Sequence, residues 1–170
     1  EAWLQKDLLV ENLQLRTAVK DMIATSSNDA TSLVVDLLTG STSGPSLGGK
    51  RYKIWKRQRN LINSWLKTLN WPELKGVNCC QKTWSDGPYG RERDFYGQGN
   101  ENRNALSTIA TARILESIMT NDIISPIGCK RIKETLSRSI DLSIRKKDPN
   151  NQVDGFIGEG ISKGSQLWSK

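Results

Sequence analysis

Histidine is absent from all 170 residues. Neither a Ser-His-Asp nor a Cys-His catalytic set can therefore be completed inside this chain. Any proton transfer must fall to Lys, Asp, Glu or Tyr. Cysteine is scarce, with Cys79, Cys80 and Cys129 only. An odd count with no Cys-x-x-Cys pair argues against a disulfide framework, and three scattered thiols without histidine do not make four zinc ligands. No apolar run is long enough to cross a bilayer, so no membrane span is expected. The chain begins at Glu1 rather than Met and stops just after the apolar Leu167-Trp168. Those ends are expected of an internal piece, and the lack of a signal peptide then leaves the compartment open.

What is present is positive charge, unevenly spread. Residues 1–49 carry 3 basic and 6 acidic side chains, leaving 22 basic (25 − 3) and 12 acidic (18 − 6) for residues 50–170. The densest stretch is Lys50-Arg51-Tyr52-Lys53-Ile54-Trp55-Lys56-Arg57-Gln58-Arg59. Basic residues interleaved with aromatics suggest a nucleic-acid-binding helical module. Helical phase argues otherwise. Trp55 flanks a stripe of Ile54, Leu61, Ile62, Trp65 and Leu69, and Tyr52 lies on the same side, so both rings are expected to pack inward. Lys53, Lys56, Arg57 and Arg59 then remain as a solvated basic face, and no nucleic-acid partner is expected.

Periodicity divides the chain into helices and loops. Residues 1–39 read as a helix pair around the turn Ser27-Asn28-Asp29, with a break between about Val10 and Leu13 and with Gly40 closing the second helix. Residues 40–50, GSTSGPSLGGK, read as a flexible loop. Residues 51–70 read as one basic amphipathic helix, stopped by Trp71-Pro72. Residues 71–103 read as an omega-like loop region, with Val77 to Trp84 a candidate strand and no apolar period after it. Residues 104–143 hold two helices, the second opened by Ser125-Pro126 and carrying Ile132, Leu136 and Ile140 one turn apart. Residues 144–170 read as a loop that leads into a strand at Lys170.

Without histidine, a serine hydrolase needs a Ser/Lys constellation. One such arrangement uses Ser-x-x-Lys for nucleophile and base, Ser-x-Asn between two helices, and Lys-Thr-Gly on a strand. Here Ser27-Asn28-Asp29 sits on an inter-helix turn, and Ser169-Lys170 opens a candidate strand far downstream. This order resembles class A β-lactamases and the related penicillin-recognising serine hydrolases. Met22-Ile23 before the turn, Ala30-Thr31 after it, the loop from about Gly90 to Asn104 and the run from Asn104 to Arg113 are similar to that superfamily over nearly the whole chain. The cyanobacterial members carry similar WPEL, QKTW and DGPYGRER stretches.

The resemblance implies a mainly α chain: the helical subdomain of an α/β β-lactamase/transpeptidase-like fold, with a short strand beginning at the C-terminus. It implies acyl-serine hydrolysis of a β-lactam or a related peptide-like amide or ester. D-alanyl-D-alanine peptidase or esterase activity, or a non-catalytic member, are the alternatives. No metal or organic cofactor is implied, and a periplasmic or secreted location is. Ser27 matches the proton-relaying serine, and Lys170 the strand lysine that holds the substrate carboxylate. Asp29 stands where the family has an amide donor; an ionised carboxylate cannot donate, so turnover is expected to suffer. Glu92 is the candidate for orienting the deacylating water, with Asp94 and Glu101 behind it. No Ser-x-x-Lys precedes Ser27, so this chain alone is expected to be inactive.

Overall fold

The structure is a computed structural model that describes residues 1–84, 87–149, 151, 153–154, 160–162 and 164–169. Among the described residues it is mainly helical, with one short two-stranded antiparallel sheet near the C-terminus. Among the described residues, no helix is long and apolar enough to cross a membrane.

Two helices flank the expected turn, but the first begins only at Leu13; a separate turn, α1 (Ala2–Gln5), precedes it, and residues 6–12 lie outside both. In α2 (Leu13–Ala24) the Asn12 side chain accepts from the Leu15 amide, supplying one of the bonds a helix start lacks. In α3 (Asn28–Thr39) Ser27 caps the Ala30 amide, and Gly40 ends the helix at φ 60°. Leu15 and Ala18 of α2 and Val34 and Val35 of α3 are buried where the two pack.

The basic segment is two helices rather than one: α4 (Gly49–Arg59) and α5 (Leu61–Thr68). Asn60 divides them. Its side-chain amide donates to the Lys56 carbonyl, the acceptor its own backbone amide also uses, and its Oδ1 accepts from Asn63. A short polar side chain here competes with the helix ladder. The inward face also differs from expectation. Trp55 is buried, as its phase requires, but so is Arg59, while Ile54 is 42% exposed. Trp55 meets Phe95 edge-on at 5.6 Å and stacks with Tyr52 at 6.3 Å. These rings, with Cys80 and Leu47, form a small core.

Residues 40–48 are pinned rather than loose. The Trp55 indole donates to the Thr42 carbonyl, Ser41 is buried against Thr39, and the Gly44 carbonyl accepts from the Arg91 amide. Gly90, at φ 51°, packs so closely on Gly44 that a Cβ there would collide with its carbonyl.

After a single 3₁₀ turn at Pro72–Leu74, the expected strand from Val77 to Trp84 does not form. Its one ladder contact is a bridge from Asn78 to Ala105. Asparagine side chains do the pairing instead. Asn63 Oδ1 accepts from the Cys79 amide, and Asn104 Oδ1 accepts from the amides of Cys80 and Gln81 while its Nδ2 donates to the Gln81 carbonyl. Asn104 thus ties Cys80 and Gln81 to the segment that leads into the following helix, forming a neck. Within the omega-like region lies α6 (Gly90–Tyr96), too short to show a period.

Then come α7 (Thr108–Met119), capped by Ser107, and α8 (Pro126–Leu136), capped by Ser125 with Pro126 at its first position. α8 packs on both α2 and α7. It ends at Leu136, so Ile140 lies beyond its face. Strand β1 (Ser137–Arg138) pairs with β2 (Leu167–Trp168), with Ser137 opposite Trp168 and Arg138 opposite Leu167; α9 (Leu142–Arg145) is the turn of helix between them.

Candidate functional site: the turn between α2 and α3

The turn at residues 25–27 is built on one carbonyl. The Asp21 oxygen accepts from the amides of Thr25 and Ser27 and from the Thr25 hydroxyl. To close it, Ser26 takes φ 54°. A left-handed backbone on a non-glycine residue costs about 1–3 kcal/mol, and such strain collects at functional sites. Ser26 and Asn28 are exposed and Ser27 is half-buried.

The candidate residues divide between this turn and elsewhere. Ser27 is present on it, with Oγ 3.2 Å from the Ala30 amide that it caps. Asp29 is exposed in the first turn of α3, where a carboxylate suits the positive end of the helix. Glu92 is far from being a solvated loop carboxylate. It sits on α6 with a fully buried side chain, 2.5 Å from Arg59 and 2.9 Å from the Ser43 hydroxyl. Asp94 and Glu101 are exposed. Lys170 lies outside the described residues.

Two remote segments converge on the turn. From the omega region, the Thr83 hydroxyl donates to the Asn28 carbonyl at 2.9 Å, and the Ser32 hydroxyl donates to the Thr83 carbonyl at 2.8 Å. From the C-terminal sheet, the Arg138 guanidinium donates to the Ile23 carbonyl at 3.1 Å. Arg138 is the register partner of Leu167, so the sheet that leads toward Ser169 abuts the end of α2. Among the described residues, the omega-region residue that bonds the turn is Thr83, with Lys82 next to it in the chain. Lys82 Nζ is 2.7 Å from Asp36 of α3.

Glu92 belongs instead to a buried polar cluster behind the turn. Arg59, wholly buried, reaches Asp36 at 3.0 Å, the Thr39 hydroxyl at 3.3 Å and Glu92, and lies 5.0 Å from the Trp55 ring. Asp36 is shared by Arg59 and Lys82. The cluster joins α3, α4, α6 and the omega neck.

Sequence reasoning passed over two features. Ser26-Ser27-Asn28 also reads Ser-x-Asn, one residue earlier than Ser27-Asn28-Asp29. The positive φ that distinguishes Ser26 has no signal in the sequence. Ser-x-x-Lys does occur, as Ser64-Trp65-Leu66-Lys67 and Ser143-Ile144-Arg145-Lys146, both after Ser27. The Ser64 hydroxyl bonds the Asn60 carbonyl on the exposed side of α5, and the Ser143 hydroxyl bonds Asp141. Both lysines are exposed, an arrangement that desolvates neither as a base would need.

No protein-family model, curated protein or solved structure matches the chain.

Proposed function

We propose that this chain forms the helical part of a serine hydrolase of the class A β-lactamase and penicillin-recognising type. What carries the reading is convergence on a single turn. A Ser-x-Asn turn, a residue of the omega-shaped region and a C-terminal strand pair meet there, although 115 residues separate Ile23 from Arg138. On this reading the acylated serine belongs to a Ser-x-x-Lys that precedes the turn in chain order, which these 170 residues do not contain.

We also propose a change of register. Ser26 supplies the proton-relaying hydroxyl and Asn28 the donor amide, both exposed, while Ser27 is the cap between them. The amide then stands where the chemistry needs a donor, and Asp29 serves the helix end.

Among the described residues, the side chain from the omega-like region that bonds the turn is Thr83, a hydroxyl and not a carboxylate, which supports the peptidase or esterase alternative over rapid β-lactam hydrolysis. A threonine hydroxyl engaged with a carbonyl has no carboxylate with which to take a proton from water. Glu92 is sealed behind it. Such an enzyme acylates and then deacylates slowly.

The test is a fluorescent penicillin incubated with the natural full-length gene product and with residues 1–170 alone. The expected result is a stable covalent label on the full-length protein, at a serine of a Ser-x-x-Lys ahead of the turn, and none on residues 1–170. No label on the full-length protein, or a label on a serine of this chain, overturns the reading.

A further inference from the structure

The charge of α4 takes no part in the turn between α2 and α3. At 100° per residue, counted from Lys50, Trp55, Arg59 and Tyr52 fall at roughly 140°, 180° and 200°, which is the buried side of the helix. Lys53, Arg57 and Ile54 fall at roughly −60°, −20° and +40°, so with Lys50 they form the diametrically opposite face. Arg51 and Lys56 flank it. All five basic residues and Ile54 are exposed. None of the five enters an ion pair among the described residues. Unneutralised like charges on one helix face repel one another and destabilise the helix. The same placement suits an anionic surface.

We propose that the outward face of α4 (Lys50, Arg51, Lys53, Lys56 and Arg57) docks reversibly on anionic lipid headgroups. The inference is independent of the hydrolase reading. Two observations favour a membrane surface over nucleic acid. The aromatic residues of the segment, Tyr52 and Trp55, are committed to the core, so no ring is presented for a base to stack on. The apolar residue placed among the cations is Ile54, 42% exposed, which suits contact with the headgroup boundary and makes no use of a phosphate backbone. Each basic residue near an anionic surface strengthens partitioning by roughly fivefold, so five together supply on the order of 10³-fold. That is docking strength, reversible and screened by salt over a Debye length of about 8 Å under physiological conditions.

The experiment is co-sedimentation of the whole chain with vesicles of phosphatidylcholine containing phosphatidylglycerol, beside vesicles of phosphatidylcholine alone. Binding is expected only to the former and should fall steeply as salt is raised. The triple variant Lys50→Glu, Lys53→Glu, Arg57→Glu should lose on the order of 100-fold or more. The remote triple Lys20→Glu, Lys146→Glu, Lys147→Glu makes the same change in net charge and should keep most of the binding. Thermal melts check that both variants fold. The milder Lys53→Gln, Arg57→Gln pair, expected to lose roughly 25-fold, serves if the reversal does not. Absence of binding, equal binding to neutral vesicles, or equal loss in the two triples overturns the proposal. So does tight binding to nucleic acid that persists at physiological salt and is lost in the α4 variants.

Discussion

Arg59 and Glu92 meet at 2.5 Å with neither side chain reaching solvent, across 33 residues of chain. Two charges taken out of water recover their hydration only through each other and their remaining bonds. Arg59 has Asp36 and Thr39 as well, and Glu92 has Ser43. The pair fixes α6 against α4 and thereby sets the far wall of the omega region.

Removing one partner should be worse than removing both. Glu92→Leu leaves a buried guanidinium short of a partner and should lower unfolding free energy by about 3–5 kcal/mol. The double variant Arg59→Met, Glu92→Leu should recover a large part of that loss, because no buried charge is then stranded on either side. Urea denaturation of the wild type, Arg59→Met, Glu92→Leu and the double variant measures the coupling. A double variant less stable than both single variants would show that Arg59 and Glu92 act through their other partners, Asp36, Thr39 and Ser43, rather than through each other.

Asn104 should be the fastening of the omega region. Asn104→Ala strips the Cys80 and Gln81 amides of their acceptor, at about 1–3 kcal/mol for each donor left buried without one. Hydrogen exchange should accelerate across residues 81–103, while α2 and α3 keep their protection. Uniform acceleration over the whole chain would mean that the neck is part of the global folding unit.

The helices whose ends are set locally were legible in the sequence. Ser125-Pro126 and Gly40 each act through neighbours within a turn, and each sits where its chemistry places it. The inward packing of Trp55 was legible too, because helical phase is local. Arg59 was not. Its burial depends on Asp36 and Glu92, and no local spacing announces partners 23 and 33 residues away. The strand expected at Val77–Trp84 failed for a related reason. Its backbone amides bond the side chains of Asn63 and Asn104 rather than a neighbouring strand. At the turn, the motif was legible and its register was not, since Ser26 and Ser27 differ in backbone conformation and not in residue type.

Stability should decline in alkali through Cys80. Burial pushes its thiol up from an ordinary value near 9 to about 11. The folded state therefore holds its proton more tightly than the unfolded state. The stabilisation is whole below pH 9 and is lost as pH rises through about 11. A shift of that size corresponds to about 2–3 kcal/mol over the window. Tyr52, raised by burial and then by the charge of Asp94, acts in the same direction. Unfolding curves for the wild type and Cys80→Ala between these pH values isolate the thiol: the difference between them should shrink as pH rises. A constant difference would mean that Cys80 ionises in the fold as freely as in the unfolded chain.

On the proposed hydrolase reading, the register of the turn can be decided by four substitutions in the full-length gene product, read as the rate of acylation by a fluorescent penicillin. Ser26 and Asn28 are exposed on the turn, whereas Ser27 Oγ is held 3.2 Å from the amide it caps. If Ser26 relays the proton and Asn28 donates to the substrate carbonyl, Ser26→Ala should slow acylation by about 10²–10⁴-fold, the range of a positioned proton-transfer group. Asn28→Ala should cost about 10²–10³-fold, as loss of one such donor does. Ser27→Ala should cost about 1 kcal/mol of stability through the lost cap, with acylation little changed. Asp29→Asn should leave the rate within a small factor, since the amide it would restore is already present one residue earlier. The opposite pattern, with Ser27→Ala slow and Asp29→Asn faster, would return the motif to Ser27-Asn28-Asp29 and make the exposed Ser26 a feature of the turn alone.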